Sequence, residues 1–141
     1  MKVSVIIANY NNSKYINDCI NSLNHQTYKE IEIIFFDDNS KDNSIEVIEK
    51  FENIKIIKNK VQTEFGSFNQ MNAFRKAVEI STGDVIFFLD SDDWFHKEKI
   101  EKITNSFSMN KNKMIIFDFP VIVENGNELP QKKIDKSNWT Y

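Results

Sequence analysis

Val85-Ile86-Phe87-Phe88-Leu89-Asp90-Ser91-Asp92-Asp93 joins an uninterrupted apolar run to three carboxylates within four residues. The apolar part is β-branched and aromatic without alternation, the pattern of a strand buried on both faces in a parallel sheet. Carboxylates crowded at the end of such a strand repel one another and raise each other's pKa unless a cation lies among them. Alternate positions put Asp90 and Asp92 on the same side of a turn, a geometry for a hard divalent ion that stays bound to phosphate oxygens. A solvated acidic turn, with Asp93 capping the next helix, accounts for the same spacing.

Two earlier stretches repeat the plan. Residues 3–8 form a short apolar strand ending in Asn9-Tyr10-Asn11-Asn12-Ser13, and residues 31–36 a second ending in Asp37-Asp38-Asn39-Ser40. After the first, Tyr15, Ile16, Cys19, Ile20 and Leu23 recur at helical spacing, with Ser13 or Asn12 as N-cap. After the second, Ile45, Ile48 and Phe51 mark a helix capped by Asp42 or Asn43. Ile54, Ile56 and Ile57 make a third strand, and residues 60–68, aperiodic around Gly66, a loop long enough to reach over a site. Met71, Phe74, Ala77, Val78 and Ile80 line a third helix, closed by Gly83 as a left-handed cap. Ile100, Ile103, Phe107 and Met109 trace a fourth. Residues 114–123 are strand-like, although Pro120 argues for a break or an edge position, and Asn125-Gly126 signals a hairpin. The domain is expected to span residues 1–128, with 129–141 an irregular, loosely held tail.

Strands alternating with helices predict an α/β fold: a mostly parallel sheet with flanking helices and right-handed crossovers. Ligands of such sheets bind beyond the carboxyl ends of the strands. The three polar clusters therefore form one candidate site.

Composition narrows what that site holds. The 141 residues are 40% hydrophobic and 28% charged, with twelve Phe to fill a core, which fits one soluble globular domain. A net charge of -3 with scattered lysines gives no support for nucleic-acid binding. The single Cys19 forms no internal disulfide and fits a helix core. The first strand begins at once and is far too short for a signal segment or a membrane span, so a cytoplasmic location is expected. Three Gly, at 66, 83 and 126, exclude both the dinucleotide fingerprint and the Walker A loop. A nucleotide here must be held otherwise, by a metal on its phosphates and by side chains reading its base. Asp38 suits the imide N–H of a pyrimidine and Tyr10 its ring, while a loop cap and a surface aromatic account equally for each residue taken alone. His25 reads as a helix end. His96 lies just past the acidic turn, either on the surface or near phosphates, and Arg75, the one Arg, makes either a phosphate contact or a helix-surface salt bridge. No Ser lies beside a base as in a hydrolytic triad, and no Cys and His have zinc spacing.

Four stretches taken in order, Val3 through Asn11, His25-Gln26-Thr27-Tyr28, Asp37 through Asp42 and Thr82 through Asp93, closely resemble the family 2 glycosyltransferases of the GT-A fold. The likeness runs from the first residue to about residue 128. It implies a Rossmann-like nucleotide-diphospho-sugar transferase fold, a donor such as a UDP-sugar, transfer with inversion, and a Mn²⁺ or Mg²⁺ ion. By position, Asp38 is similar to the family's base-reading Asp, with Ala8, Asn9 and Tyr10 beside the nucleobase. Asp90-Ser91-Asp92 is similar to its D-x-D motif, Asp92 as the metal ligand and Asp90 nearer the ribose and sugar. The resemblance further implies a saccharide or lipid-linked acceptor, as in cell-surface polysaccharide synthesis, at the inner face of the membrane in a full-length protein. The family commonly has Pro where Ala8 stands, and Arg-Asn and then Gly where this chain has Phe74-Arg75 and Ala77. Its catalytic base is a carboxylate in a later half, expected beyond Tyr141; Asp118 and Glu124 come too early. The fold is thus expected to be C-terminally incomplete, and a homodimer is one way to hide the surface left open.

Aspartate-based phosphatases fit less well, because Trp94 stands where they carry Thr or Val and their motif follows the first strand. Receiver domains place their acidic pair after the first strand, whereas Asp37-Asp38 follows the second. A non-catalytic nucleotide-binding domain stays open, and sugar transfer as against binding alone separates it from an enzyme.

Overall fold

The four apolar runs between residues 3 and 90 enter one sheet. The structure, a computed structural model, describes residues 1–60 and 64–109 and two short strands at 123–124 and 127–128. Strands β1 (Val3–Asn9), β2 (Ile31–Asp37), β3 (Ile54–Lys58) and β4 (Val85–Asp90) are parallel in the order β3-β2-β1-β4. They alternate with α1 (Ile16–Asn24), α2 (Ser44–Ile48) and α3 (Gly66–Ile80), and α4 (Lys99–Met109) follows β4. The chain moves outward from β1 to β3, then returns across the sheet to β4, so the winding reverses at β1.

The strand pleat sorts the side chains onto two faces. Val3, Val5, Ile7, Phe35, Phe87 and Leu89 pack with Ile16, Cys19, Ile20 and Leu23 of α1, Ile48 of α2, Phe95, and Ile100 of α4. Ile6 and Ile34, with Ile57 and Ile86, meet Ala77 and Phe74 of α3 on the other face. Buried Ala73 and Ala77 are small enough to let α3 lie close to β1 and β2.

That placement of α3 corrects the expectation that β4 is buried on both faces. Phe88 is 51% exposed even with the Phe74 ring tilted against it at 4.5 Å between centroids, because α3 packs mainly on β1 and β2. It also turns Met71, Val78 and Ile80 outward, contrary to the periodicity reading. The inward side of α3 carries Asn69, Ala73 and Ala77. The helix starts at Gly66, inside the expected loop; residues 61–63 of that loop lie outside the described residues.

Several predicted caps are used for longer-range bonds. Tyr15, not Ser13 or Asn12, precedes α1, since Asn12 donates to Ser91 Oγ at 3.0 Å and the Ser13 amide to Asp42 Oδ2 at 2.9 Å. Asp42 also receives the Ser44 amide at the start of α2, and these bonds outweigh burial to bring its carboxyl down to about 2. Phe51 lies beyond the short α2 but still packs on the core. Gly83 is not a left-handed cap. A Cβ there would sit 2.5 Å from the Ser4 amide nitrogen, so glycine is required for close approach to β1. Asp93 does not cap α4, which starts at Lys99; its amide closes a turn onto the Asp90 carbonyl at 3.0 Å. Buried Gln26 serves α4 instead. Its Oε1 accepts the Ile100 amide at 3.2 Å, and its Nε2 donates to the carbonyls of Ser22 and His96.

The chain divides into two compact units, residues 1–111 and 112–141. In the second, β5 (Val123–Glu124) and β6 (Asn127–Glu128) pair antiparallel on either side of the predicted hairpin turn. Residues 114–122 and the expected tail 129–141 lie outside the described residues. Among the described residues no helix is long and apolar enough to cross a membrane.

At the amino ends of the strands, Glu32 ties four segments together. It accepts bonds from Ser4 Oγ at 2.7 Å, Lys55 Nζ at 2.6 Å, and the amide and hydroxyl of Thr82. Burial raises this carboxyl, but the bonds from Lys55, Ser4 and Thr82 outweigh it and bring the pKa from 4.5 down to about 2. A folded-state pKa below the unfolded value stabilises the fold above about pH 4.5, and that contribution is lost as pH falls toward 2. Glu32→Gln should therefore lower the urea midpoint at pH 7, with the gap to the parent chain closing between pH 4.5 and 2. A gap independent of pH would contradict the ionic role.

Candidate functional site

The carboxyl ends of β1, β2 and β4 open into a cleft of about 490 Å³, at the point where the winding reverses. Its walls include Ala8 and Asn9 at the end of β1 with Tyr10 just past it, Asp38 after β2, and Asp90 at the end of β4 with Asp92 in the turn beyond. Gly66, Asn69, Gln70 and Ala73 of α3 form the facing wall. Six of the seven residues singled out in the sequence thus share one cavity. Ser91 does not line it: the side chain is fully buried and accepts the Asn12 amide, locking the acidic turn to the loop after β1.

The loops after β1 and β2 are laced together. Asn9 Nδ2 donates to Asp37 Oδ1 at 2.9 Å and to Ser40 Oγ at 3.1 Å, the Asn11 amide donates to Ser40 Oγ, and the Lys41 amide to Asn11 Oδ1. Asn11 and Asn39 adopt φ of 53° and 61°, the left-handed region that asparagine tolerates. Asp37 is therefore a scaffold residue and its neighbour Asp38 faces the cleft. Among the described residues Asn9 Oδ1 is buried without a hydrogen-bond partner, while Asn9 as a residue borders the cleft. Tyr10 is 47% exposed, leaving a ring face for a planar group.

The pleat that points Ile86 and Phe88 toward the α3 face points Asp90 the same way. Gln70 meets it there, Nε2 donating to Asp90 Oδ1 at 2.7 Å. Burial raises the Asp90 carboxyl above the usual range; the Gln70 bond opposes this and the Asp92 charge adds to it. Asp93 is raised too, by burial and then by Asp92 and Asp90. Behind the turn, the buried Cys19 thiol points at the Asp90 carbonyl, and burial with the charges of Asp93, Asp92 and Asp90 pushes it up to about 12. It is a core thiol and no nucleophile.

The donor set fits Mg²⁺ or Mn²⁺. Among the described residues no group of three or more His, Cys, Asp and Glu is arranged to cage an ion. Carboxylates gathered at an open turn instead suit an ion that completes its shell with substrate phosphate and water. Asp92, exposed at the cleft, is the ligand this arrangement offers, with Asp90 beside it.

Other candidates lie elsewhere. His96 uses its backbone carbonyl to hold Gln26 and its ring to accept the Glu98 amide, and does not line the cleft. His25 ends α1 with its ring on the Asn21 carbonyl, and Arg75 pairs with Glu79 on the outer surface of α3. Asn12, from the polar cluster after β1, also lines the cleft, as do Glu64 and Gly66 of the expected loop; Asn69, Gln70 and Ala73 are cleft residues not singled out in the sequence. The signal for those on α3 is the spacing of Gly66, Asn69-Gln70, Ala73 and Ala77, a small and polar stripe on one helix face.

Residues 4–140 match the family described as glycosyl transferase family 2, and the chain belongs to it. An uncharacterized glycosyltransferase of Nostoc sp. strain PCC 7120 is 34% identical over 132 residues, 93% of this chain and 40% of the relative. The poly(ribitol-phosphate) β-N-acetylglucosaminyltransferase TarS of Staphylococcus aureus is 30% identical over 133 residues, 93% of this chain and 23% of TarS. The crystal structure of TarS 1–349 with UDP superposes with a TM-score of 0.75 at 29% identity, covering 93% of this chain and 38% of that one. A Pyrobaculum calidifontis mannosyltransferase, described in complex with GDP-Man and Mn²⁺, shares the fold at a TM-score of 0.67 and 16% identity, over 76% of this chain and 32% of its own. The fold is that of the GT-A glycosyltransferases, and the chain spans well under half the length of these relatives.

If Gln70 holds Asp90 as described, Gln70→Ala removes the one bond that lowers this carboxyl, and its pKa should rise further. Carboxyl-carbon NMR titration of metal-free protein reads this directly. An unchanged Asp90 pKa would show that the bond does not form.

Proposed function

We propose that this chain binds the nucleotide-diphospho-sugar donor of an inverting glycosyltransferase, with a UDP-sugar as the donor and a divalent cation bound at Asp92. The observation that carries this reading is the convergence of Asp38, Tyr10, Asp90 and Asp92 on one cleft at the sheet's reversal point. Family membership and the UDP complex of TarS support it.

In this reading Asp38 accepts the imide N–H of uracil and Tyr10 covers the ring. Ala8 and Ala73, with no side chain beyond Cβ, leave room for the nucleoside between sheet and helix. Gln70 aims Asp90 at a hydroxyl of the ribose or sugar. Bound at Asp92 and, through it, beside Asp90, a Mn²⁺ or Mg²⁺ ion would supply Lewis-acid stabilisation to the diphosphate leaving group. The surrounding walls, apolar at Ala8, Gly66 and Ala73, keep water from much of the donor. An inverting transfer also needs a base within hydrogen-bond reach of the acceptor hydroxyl. The relatives are more than twice as long as their matched part, and we place the base and the acceptor site in that additional length. A saccharide or lipid-linked acceptor is the matching class, poly(ribitol-phosphate) being that of TarS.

Calorimetric titration with UDP, with and without Mn²⁺, tests the reading. Mn²⁺ should tighten binding by roughly tenfold or more, about 1.4 kcal/mol, and Asp92→Asn should remove that gain while leaving the metal-free affinity in place. Absence of UDP binding under both conditions would contradict it.

A further inference from the structure

Asp38 is the near end of a relay that begins on α3. Its Oδ1 accepts Asn59 Nδ2 at 2.7 Å, and Asn59 Oδ1 accepts Lys76 Nζ at 3.3 Å. The polarity of the relay is chemically forced. An ammonium only donates and a carboxylate only accepts, so the amide between them must turn its oxygen to Lys76 and its nitrogen to Asp38. The relay is also anchored at both ends. The Asn59 backbone amide donates to the Asp37 carbonyl at 2.8 Å, just past the end of β3, and Lys76 lies 5.6 Å from the centre of the Phe36 ring. Asn59 is not among the residues that line the cleft, and its bond to Asp38 links it to one that is.

We propose that Asn59 is the positioning residue that sets the nucleobase selectivity of Asp38, for uracil over cytosine. The inference rests on the nucleotide reading of the cleft given above. A bond to Oδ1 stops the carboxylate from turning about its Cβ–Cγ axis, so the cleft meets an acceptor of fixed direction. Uracil offers an N–H at N3 to such an acceptor. Cytosine offers a lone pair at the same atom, and a fixed carboxylate repels it. A carboxylate free to turn reaches the exocyclic amine of cytosine instead and tolerates both bases. Lys76 contributes at one remove, by holding the amide in the orientation that makes Asn59 a donor to Asp38.

The test is calorimetric titration of UDP and CDP, both with Mn²⁺, into the parent chain, Asn59→Ala, Asp38→Ala and the double variant, with thermal unfolding run in parallel. The parent chain should prefer UDP. Asn59→Ala should weaken UDP by roughly tenfold, the scale of one hydrogen bond to a charged group, and weaken CDP far less, so that the preference collapses. In the Asp38→Ala background Asn59→Ala should have no further effect on either nucleotide. Lys76→Met, which keeps the apolar stem, should lower the preference in the same direction and serves if Asn59→Ala unfolds the chain. A UDP preference unchanged in Asn59→Ala or, if that variant is unfolded, in Lys76→Met overturns the inference alone. A loss of equal size with and without Asp38 also overturns it. A parent chain that binds neither nucleotide overturns the proposed function and this inference together.

Discussion

The constraint on which the rest depends is the return of the chain across its own sheet. After β3 the polypeptide must cross back over β2 and β1 to lay down β4, and that crossing carries α3 onto the face opposite α1, α2 and α4. Two consequences follow. The carboxyl ends of β1 and β4 become neighbours at the reversal point, and the cleft opens there with α3 as its facing wall. The same crossing brings a polar stripe of α3 to that cleft, so that one helix reaches the acidic turn directly through Gln70 and the base-reading carboxylate through Lys76 and Asn59. The site is a product of topology before it is a product of any one motif.

The electrostatics of the two sheet ends differ for a physical reason. At the amino ends Glu32 is surrounded by donors, and its charge is satisfied within the protein. At the carboxyl ends burial and then the neighbouring carboxylates raise Asp90 and Asp93, against the Gln70 bond to Asp90 and the charge of Lys99 near Asp93. Both ends carry buried or half-buried carboxylates. Only one of them raises its own pKa values, and that is the end with the cleft.

Much of the fold was legible because it rests on local chemistry. Four apolar runs, three of them ending in polar clusters, read as the four parallel strands, and the βα rule alone puts Tyr10, Asp38, Asp90 and Asp92 on one edge. What was not legible depended on which face each helix covers. Met71 and Val78 have helical spacing, yet the side of α3 that meets the sheet is read by Ala73 and Ala77, because close approach favours small residues over large ones. Phe88 sits in a run that reads as fully buried, but α3 packs mainly on β1 and β2 and leaves it half exposed beside Phe74. Gly83 follows a helix as a cap would, while its actual demand comes from Ser4, 79 residues away in sequence. Asn59 carries no local signal of its role, and the stripe that contains Gln70 does not name its partner, since both residues bond carboxylates supplied by other elements.

The central claim is that these strand ends and α3 form one donor site, and it is tested most directly by mapping a ligand onto the backbone. An isotope-labelled chain titrated with UDP and then with trace Mn²⁺ should show amide shifts at Tyr10, Asp38, Asn69 and Gln70. Paramagnetic broadening should be strongest at Asp92 and its neighbours in the turn. Perturbations absent from these residues, or centred on Glu32 and Thr82 at the opposite end of the sheet, would contradict the account.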